Sequence, residues 1–174
     1  MENKIKKINL IFAKSKNNVI GKNNSMPWYI PEELSFFKKE TLNKVIIMGK
    51  NTFDSLGGQA LPNRINIVIS RTLTPQDIKD KNFLIYKSLE EAIISYKDSE
   101  IFIIGGTKLA NYAIEKNYIK NIFMTIVDII INGDNLTYAP KFNEEDYVML
   151  HLMTKNENMV DKIKFSVFEF IKVI

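Results

Sequence analysis

The segment from Asn24 to Leu34 contains the residues best suited to chemistry. It holds the chain's only tryptophan, Trp28, in a loop with two prolines, and it leads into a predicted helix whose first turn carries two glutamates. Such acids can simply stabilise the positive end of a helix. At about 100° per residue, however, Glu33 falls on the apolar face of this helix, whereas Glu32 points outward. A carboxylate at the wall of an apolar cleft suits a cationic, amidine-like edge, and burial would raise its pKa.

Two glycine-containing segments, each between a predicted strand and a predicted helix, are suited to binding phosphate. One is Gly49-Lys50-Asn51-Thr52 and the other is Gly105-Gly106-Thr107-Lys108. Each places free backbone N–H groups, a lysine and a hydroxyl at the start of a helix, which favours an anion. Neither matches a dinucleotide or P-loop fingerprint, and tight packing of strand on helix would also explain the glycine pair. After neighbouring parallel strands, the two segments together could hold the two ends of one dinucleotide.

Arginine occurs only at positions 64 and 71, although the chain has 24 lysines and arginines. The planar guanidinium binds carboxylates and phosphates through two parallel hydrogen bonds, which lysine cannot do. Arg71 ends a predicted strand next to Ser70, a combination that suits a phosphomonoester. Arg64 opens the same strand and could bind a substrate carboxylate or form an internal ion pair. Thr125 is a hydroxyl on a late strand that could face a site or only pack in the core.

The composition excludes several classes of chemistry. The chain has 174 residues, no cysteine and a single histidine, so we expect no disulfide framework, metal site or histidine-based triad. We assign no function to that histidine, His151. The net charge of +4 is too small, and the lysines are too dispersed, for a dedicated nucleic-acid binder. Neither a targeting segment nor a membrane span is evident in the sequence, which predicts a cytoplasmic protein.

Short apolar runs alternate with helical patterns and predict the elements that position these residues. Strands are predicted at Ile8–Ala13, Val45–Met48, Ile65–Ile69, Phe83–Tyr86 and Ile101–Ile104. Helices are predicted at Pro31–Leu42, Asn51–Leu56, Leu89–Ser95 and Thr107–Lys116. Long strands follow at Asn121–Ile131, Tyr147–Thr154 and Lys164–Val173, with a hairpin near Asn156–Asp161. The alternation indicates one α/β domain over residues 1–174, with a mainly parallel sheet and an antiparallel C-terminal edge.

In their order along the chain, these motifs resemble the dihydrofolate reductase family. The resemblance runs from Ile8 to about Asp134 and rests on Val19-Ile20-Gly21, Asn24–Trp28, Pro31–Leu34, Ile46–Thr52, Leu61-Pro62, Ile69-Ser70-Arg71, Ile103–Gly106 and Thr125. It implies a single-domain, eight-stranded, mostly parallel central sheet with flanking helices. It also implies reduction of 7,8-dihydrofolate, with hydride transfer from NADPH to C6 and protonation at N5, giving tetrahydrofolate for one-carbon metabolism.

The resemblance also implies roles for individual residues. Glu33 would hold the amino edge of the pterin and promote N5 protonation through a water molecule that Trp28 organises, while Thr125 would link Glu33 to the pterin. The substrate-binding residues would be Ile11, Ala13, Glu33, Leu34, Phe37, Lys38, Leu61, Arg64 and Thr125, with Arg64 on the glutamate α-carboxylate. The cofactor-binding residues would be Ala13, Ile20, Gly21, Met26, Gly49, Lys50, Asn51, Thr52, Ile69, Ser70, Arg71, Lys87, Ile104, Gly105, Gly106, Thr107, Lys108 and Leu109. The Gly105–Gly106 peptide bond would be cis.

Two other functions remain alternatives on the sequence alone. A reductase of the same fold could act on a ribosylaminopyrimidine of riboflavin synthesis, but its substrate has neither the pterin edge expected at Glu33 nor the glutamate tail expected at Arg64. A basic nucleic-acid-binding module would need clustered lysines and exposed aromatic side chains. We expect instead a monomer that binds dihydrofolate and NADPH and that binds neither nucleic acid nor a membrane.

Overall fold

The computed structural model describes residues 7–156 and 162–173, which form a large sheet with helices on both faces. The strands are β1 (Ile8–Ser15), β2 (Val19–Lys22), β3 (Val45–Gly49), β4 (Ile65–Ile69), β5 (Phe83–Tyr86), β6 (Ile101–Gly105), β7 (Ile119–Val127), β8 (Leu136–Tyr138), β9 (Tyr147–Lys155) and β10 (Phe165–Lys172). The helices are α1 (Pro31–Thr41), α2 (Lys50–Ser55), α3 (Leu89–Ser95) and α4 (Thr107–Glu115), and a single 3₁₀ turn covers Glu144–Asp146.

Eight of the strands form the main sheet, in the order β5-β4-β3-β6-β1-β7-β10-β9. The pairs from β5 to β7 are parallel, whereas β10 pairs antiparallel with both β7 and β9. The predicted fold class is therefore confirmed. The short strands β2 and β8, which pair with each other, were not predicted, because so few residues show no clear periodicity. Most of the predicted hairpin at Asn156–Asp161 lies outside the described residues.

Each face of the sheet is covered by its own hydrophobic core. On one face, α3 and α4 contribute Leu89, Ala92 and Ala113 to a cluster with side chains of β1, β3, β6 and β7. On the other face, Phe36 of α1 and Phe53 of α2 pack with side chains of β3, β4, β6 and β7. Buried strands in such a two-sided sheet are apolar along their whole length, as Val45–Met48 are. None of the helices in residues 7–156 and 162–173 is long and apolar enough to span a membrane.

Helix α1 differs from its predicted orientation in detail. Its buried residues are Glu33, Phe36 and Thr41, whereas Leu34 is 37% exposed. Leu34 therefore does not share the buried face with Glu33, because Phe36 packs into the core beneath the helix and Leu34 lies away from it. The prediction that Glu32 points outward is wrong. Glu32 is half-buried and lines a groove between α1 and the C-terminal strands β9 and β10.

Asparagine closes the turns that follow two of the helices. Asn43 follows Leu42, the C-cap residue of α1, and has φ of 59°. Asn117 follows Lys116, the C-cap residue of α4, and has φ of 58°. Both occupy the left-handed position at which helices commonly end, where asparagine is tolerated better than most residues other than glycine. The turn at Asn43 also brings the end of α1 against the segment before β4, because its N–H donates to the carbonyl of Asn63.

Candidate active site

Many of the predicted site residues, such as Ser70 and Gly105, lie at the edge of the sheet where the parallel strands end, whereas Arg64 precedes β4 at the opposite edge. Strands β6 and β1 are neighbours in the sheet, and the connections that leave them run in opposite directions. The connection from β1 leads to β3 on one side of this pair, and the connection from β6 leads to β7 on the other side. Such a switch point opens a crevice at the carboxyl ends of the strands. Ala13, near the end of β1, pairs with Thr125 of β7, and Gly105 ends the neighbouring strand β6. The crevice therefore lies between predicted substrate and cofactor residues.

Glu33 is held inside this region by the first turn of α1. The helix begins at Pro31, whose fixed φ suits the first helical position, and no side chain caps it. Glu33 is 6% exposed, and it forms a hydrogen bond with the Thr125 hydroxyl, itself 2% exposed. Burial raises the pKa of Glu33 to about 7, and the Thr125 hydrogen bond opposes that rise. The carboxyl can therefore gain or lose a proton near neutral pH.

Trp28 contributes a second buried polar atom. The side chain is 8% exposed, and its indole Nε1 is buried without a hydrogen-bond partner among the described residues. Buried N–H groups in native proteins are almost always paired with protein, water or ligand. The indole N–H can only donate, so it requires an oxygen acceptor such as a water molecule or a ligand atom. The unpaired indole N–H is therefore compatible with the water-mediated role predicted for Trp28.

Arg64 lies near the other end of α1 and forms no internal ion pair within residues 7–156 and 162–173. Its Nη1 donates to Thr41 Oγ1 at 3.2 Å, and its Nε donates to the Pro62 carbonyl at 3.0 Å. The guanidinium also lies 5.9 Å from the ring centroid of Phe37. Partial burial lowers the pKa of Arg64, but an arginine side chain remains charged at any physiological pH. The charge is therefore fixed beside the aromatic wall of the cleft without a carboxylate among the described residues.

The two glycine-containing segments approach each other closely. A Cβ added to Gly106 would lie 3.5 Å from backbone atoms of Gly49, and a Cβ added to Gly105 would overlap the Thr52 hydroxyl. Helix α4 begins at Thr107 without a side-chain cap, so its first-turn N–H groups remain available to an anion. A side chain at Gly105 would require Thr52 to move, whereas at Gly106 it is the backbone conformation that requires glycine. Gly106 has φ of 87°, which places it in the region that favours glycine.

Some polar groups predicted to bind cofactor already have protein partners. Lys50 forms a salt bridge with Asp54 at 2.7 Å, on the exposed surface. The Ser70 hydroxyl accepts hydrogen bonds from the N–H groups of Thr72 and Leu73, so it shapes the turn after β4. Arg71 itself is exposed, and no ion pair of its side chain is found in the described part of the chain. Ser70 therefore supports the turn, and Arg71 supplies the accessible charge.

The segment from Val19 to Trp28 is joined to the C-terminal half of the chain. Gly21 of β2 pairs with Thr137 of β8, and the Thr107 hydroxyl donates to the Tyr138 carbonyl at 2.7 Å. Ile20 and Gly21 thus lie in a segment connected through β8 to the start of α4. Met26 is 48% exposed near the end of this segment. This segment and the second glycine-containing segment are therefore brought together.

Comparison with known proteins agrees with this geometry. The family described as "Dihydrofolate reductase" matches residues 7–172. The chain is 40% identical over 166 residues to "Dihydrofolate reductase" of Buchnera aphidicola subsp. Acyrthosiphon pisum, covering 94% of this chain and 98% of that protein. It is 34% identical to "Dihydrofolate reductase" of Bacillus subtilis, covering 93% and 94% of the two chains. The chain belongs to the dihydrofolate reductase family. It is accordingly an oxidoreductase of that family.

For this dihydrofolate reductase family member, one expectation about the backbone is wrong. No cis peptide bond occurs in residues 7–156 and 162–173, so the Gly105–Gly106 bond is trans. With φ of 87° and ψ of 104°, Gly106 at the start of α4 has a backbone conformation that favours glycine. Five other predicted residues are exposed and have no side-chain hydrogen bond or ion pair with the described part of the chain, namely Leu34, Lys38, Asn51, Lys87 and Lys108. His151 lies exposed on the edge strand β9, remote from the crevice, where it hydrogen-bonds Thr154.

Sequence reasoning missed two polar residues that support the site. Thr41 is fully buried and contacts Arg64, and Asn66 is 1% exposed beneath the segment that carries Leu61 and Arg64. Neither belongs to a motif. A signal did exist for Asn66, because it stands alone among apolar residues in the strand Ile65–Ile69. A buried amide in such a strand requires hydrogen-bond partners and therefore indicates a defined structure nearby.

Proposed function

We propose that this member of the dihydrofolate reductase family reduces 7,8-dihydrofolate to 5,6,7,8-tetrahydrofolate, with NADPH supplying a hydride to C6 and solvent supplying a proton to N5. The single observation that carries the proposal is the buried Glu33, with a pKa raised to about 7, beside Thr125 at the carboxyl edge of the sheet. A buried carboxyl with a pKa near the working pH is suited to proton transfer.

Glu33 is proposed to bind the pterin through the amidine-like edge of its aminopyrimidine ring. An ionised carboxylate accepts two parallel hydrogen bonds from such an edge, and the low-dielectric surroundings strengthen them. Trp28 would hold a water molecule through its unpaired Nε1, and that water would connect the carboxyl to the reacting ring nitrogen. Thr125, which hydrogen-bonds Glu33, fixes the orientation of the carboxyl. The chain's own groups thus orient the pterin and control a proton.

The rest of the substrate is proposed to lie along α1 toward Arg64. Glu33 and Thr41 are eight residues apart on this helix, which corresponds to about 12 Å. Phe37 lies between them, and its ring contacts the Arg64 guanidinium. Such a site suits an elongated ligand with a hydrogen-bonding edge at one end, an aromatic middle and a carboxylate at the other. Ile11, Ala13 and Leu61 would complete the apolar walls, and Leu34 and Lys38 would form the rim.

The residues present fit a dinucleotide carrying an extra phosphate. Gly49 and Gly105-Gly106 provide a cradle without side chains, and the uncapped start of α4 offers N–H groups to a pyrophosphate. Arg71 and Lys50 would bind the 2′-phosphate that distinguishes NADPH from NADH. Lys50 would have to exchange its exposed ion pair with Asp54, and such surface pairs contribute little stability. The remaining predicted contacts, from Ala13, Ile20, Gly21, Met26, Asn51, Thr52, Ile69, Ser70, Lys87, Ile104, Thr107, Lys108 and Leu109, are part of this proposal.

We also propose that the chain acts as a single domain and as a monomer in the cytoplasm. The main sheet supports one domain, because its eight strands come from both ends of the described chain and form a continuous hydrogen-bonded array. Light scattering after size-exclusion chromatography at several concentrations tests the monomer. A mass of about twice 20.2 kDa that persists on dilution would contradict it.

The reaction is tested by following NADPH absorbance in the presence of 7,8-dihydrofolate. The wild-type protein should oxidise NADPH only when dihydrofolate is present and should use NADH much less well. Glu33→Gln should bind NADPH with nearly unchanged affinity and lose most of its turnover at pH 7, since glutamine cannot exchange the proton. Wild-type protein that turns over no dihydrofolate would refute the function, whereas a fully active glutamine variant would refute only the role of Glu33.

A further inference from the structure

Asn66 fastens the segment between α2 and β4 that carries both Leu61 and Arg64. Its Oδ1 accepts a hydrogen bond from the Leu61 N–H at 2.9 Å, and its Nδ2 donates to the carbonyls of Leu61 and Arg64 at 2.9 and 3.0 Å. The side chain is 1% exposed. All three of these backbone groups are thus held by a single buried amide. The backbone of this segment is therefore hydrogen-bonded to strand β4 at both Leu61 and Arg64.

Thr41 performs the complementary function from α1. Its side chain is fully buried, and its hydroxyl donates to the Phe37 carbonyl at 2.8 Å. Because that proton is committed to Phe37, the oxygen lone pairs face Arg64 and accept the Nη1 hydrogen bond. The same helix end also touches the segment through the hydrogen bond from Asn43 N–H to the Asn63 carbonyl at 2.8 Å. Two hydrogen bonds therefore connect the end of α1 to the segment that carries Arg64, one through Thr41 and one through Asn43.

These contacts use part of the guanidinium and leave a defined part accessible. Of its five N–H groups, the Nε–H and one on Nη1 are committed to Pro62 and Thr41. Among the described residues, one N–H on Nη1 and both on Nη2 have no protein partner. A carboxylate can accept two parallel hydrogen bonds from guanidinium N–H groups. The internal contacts thus fix the position of the guanidinium and leave three of its N–H groups for a ligand.

We infer that Thr41 and Asn66 are positioning residues that hold Arg64 ready for a ligand carboxylate and so determine the preference for folates with a glutamate tail over pterins without one. The inference rests on the proposed function and adds two residues and a specificity to it. A long, flexible side chain loses rotamer freedom when it is immobilised by a ligand, and a side chain that is already immobilised loses less. The selectivity follows because only a substrate with a carboxylate benefits from this preorganisation.

The decisive experiment compares dihydrofolate with 7,8-dihydropteroate, which has the same pterin and aminobenzoyl groups but no glutamate. Thr41→Val removes the hydroxyl and keeps the shape. It should raise KM for dihydrofolate roughly threefold to tenfold, as expected for one lost hydrogen bond, and leave KM for dihydropteroate unchanged. Thr41→Ser should restore the wild-type value. Thr154→Val, an equivalent change on the distant strand β9, serves as the control. An equal rise in KM for both substrates, or no change for either, would overturn the inference.

A second variant tests Asn66 and the coupling to Arg64. Asn66→Ala should show the same selective rise in KM, and its melting temperature is measured in parallel because the buried amide also supports the fold. If this variant does not fold, the Thr41 variants decide the inference. In a double-mutant cycle, Thr41→Val should have no further effect once Arg64→Lys is present, and additive effects would contradict positioning through Arg64. Wild-type protein without dihydrofolate turnover would instead refute the proposed function itself.

Discussion

The buried carboxyl of Glu33 should lower the stability of the free protein at neutral pH, and replacing it with glutamine should recover that free energy. A folded-state pKa above the unfolded value means that the folded protein binds the extra proton between the two values. The free energy of unfolding therefore falls as the pH rises from about 4.5 to about 7. Above that range the full cost of the buried charge is present, and below it the cost disappears.

The raised pKa sets the size of the effect. A pKa raised from 4.5 to about 7 corresponds to about 3 kcal/mol of stability lost at pH 8. Glutamine keeps the volume of the side chain and an oxygen that accepts the hydrogen bond from Thr125, but it cannot ionise. Glu33→Gln should therefore be about 3 kcal/mol more stable than wild type at pH 8 and similar to it at pH 4.5. For a chain of this size, that difference raises the melting temperature by roughly 6–12 °C.

Urea unfolding of the two proteins at intervals between pH 4.5 and 8 measures this difference directly. The comparison between wild type and variant cancels the contribution of the other titrating groups. Glu32→Gln provides the matched control, because it removes a neighbouring negative charge from the same positive helix end and should be neutral or destabilising. A stability difference between wild type and Glu33→Gln that does not change with pH would refute the raised pKa. The reasoning about proton transfer at Glu33 would then lose its physical basis.

Three further predictions concern the other parts of the site. Thr125→Val removes the hydrogen bond that lowers the pKa of Glu33, so the pH dependence of turnover should shift to higher pH, while Thr125→Ser keeps the wild-type profile. Gly105→Ala places a Cβ 2.9 Å from Thr52 Cγ2, so NADPH affinity measured by fluorescence titration should fall and stability should drop by about 1–3 kcal/mol. Arg64→Lys replaces a two-pronged donor with a point charge, so KM for dihydrofolate should rise roughly tenfold. Unaltered profiles, NADPH affinity or KM, respectively, would contradict these three assignments.

The fold was predictable because its signals are long and repeated. The parallel strands are rich in apolar residues, and a helix directly follows β3, β5 and β6, so much of the order of elements follows from periodicity. The strands β2 and β8 could not be predicted from the sequence, because four and three residues are too few to show a periodic pattern of hydrophobicity. The phase of α1 was only partly predictable. Glu33 is buried as its helical position predicts, whereas packing of Phe36 against Phe123 decides that Leu34 faces the rim.

Predictability within the site depended on whether a residue's partner lies nearby in sequence. The ion pair of Lys50 with Asp54 joins residues four apart on α2, a spacing from which it could have been predicted. The contact of Thr41 with Arg64 joins residues 23 apart and forms only because α1 and the start of β4 meet in the folded protein. Ser70 is intermediate, since its hydroxyl serves a turn two and three residues ahead. Local signals therefore identify candidate residues, and the fold decides which of their polar groups remain free.

Helix α1 explains why a carboxyl with an unfavourable pKa can be kept in this position. The helix carries Glu33 in its first turn and Thr41 at its end, and a helix is rigid enough to hold a separation of about 12 Å between them. A ligand that pairs with both ends compensates the buried charge of Glu33 and uses the fixed guanidinium edge of Arg64 at the same time. A shorter ligand reaches only one end and leaves the other unpaired. In the proposed site, the burial penalty on Glu33 that weakens the free protein at neutral pH would therefore favour a substrate long enough to contact both ends of the helix.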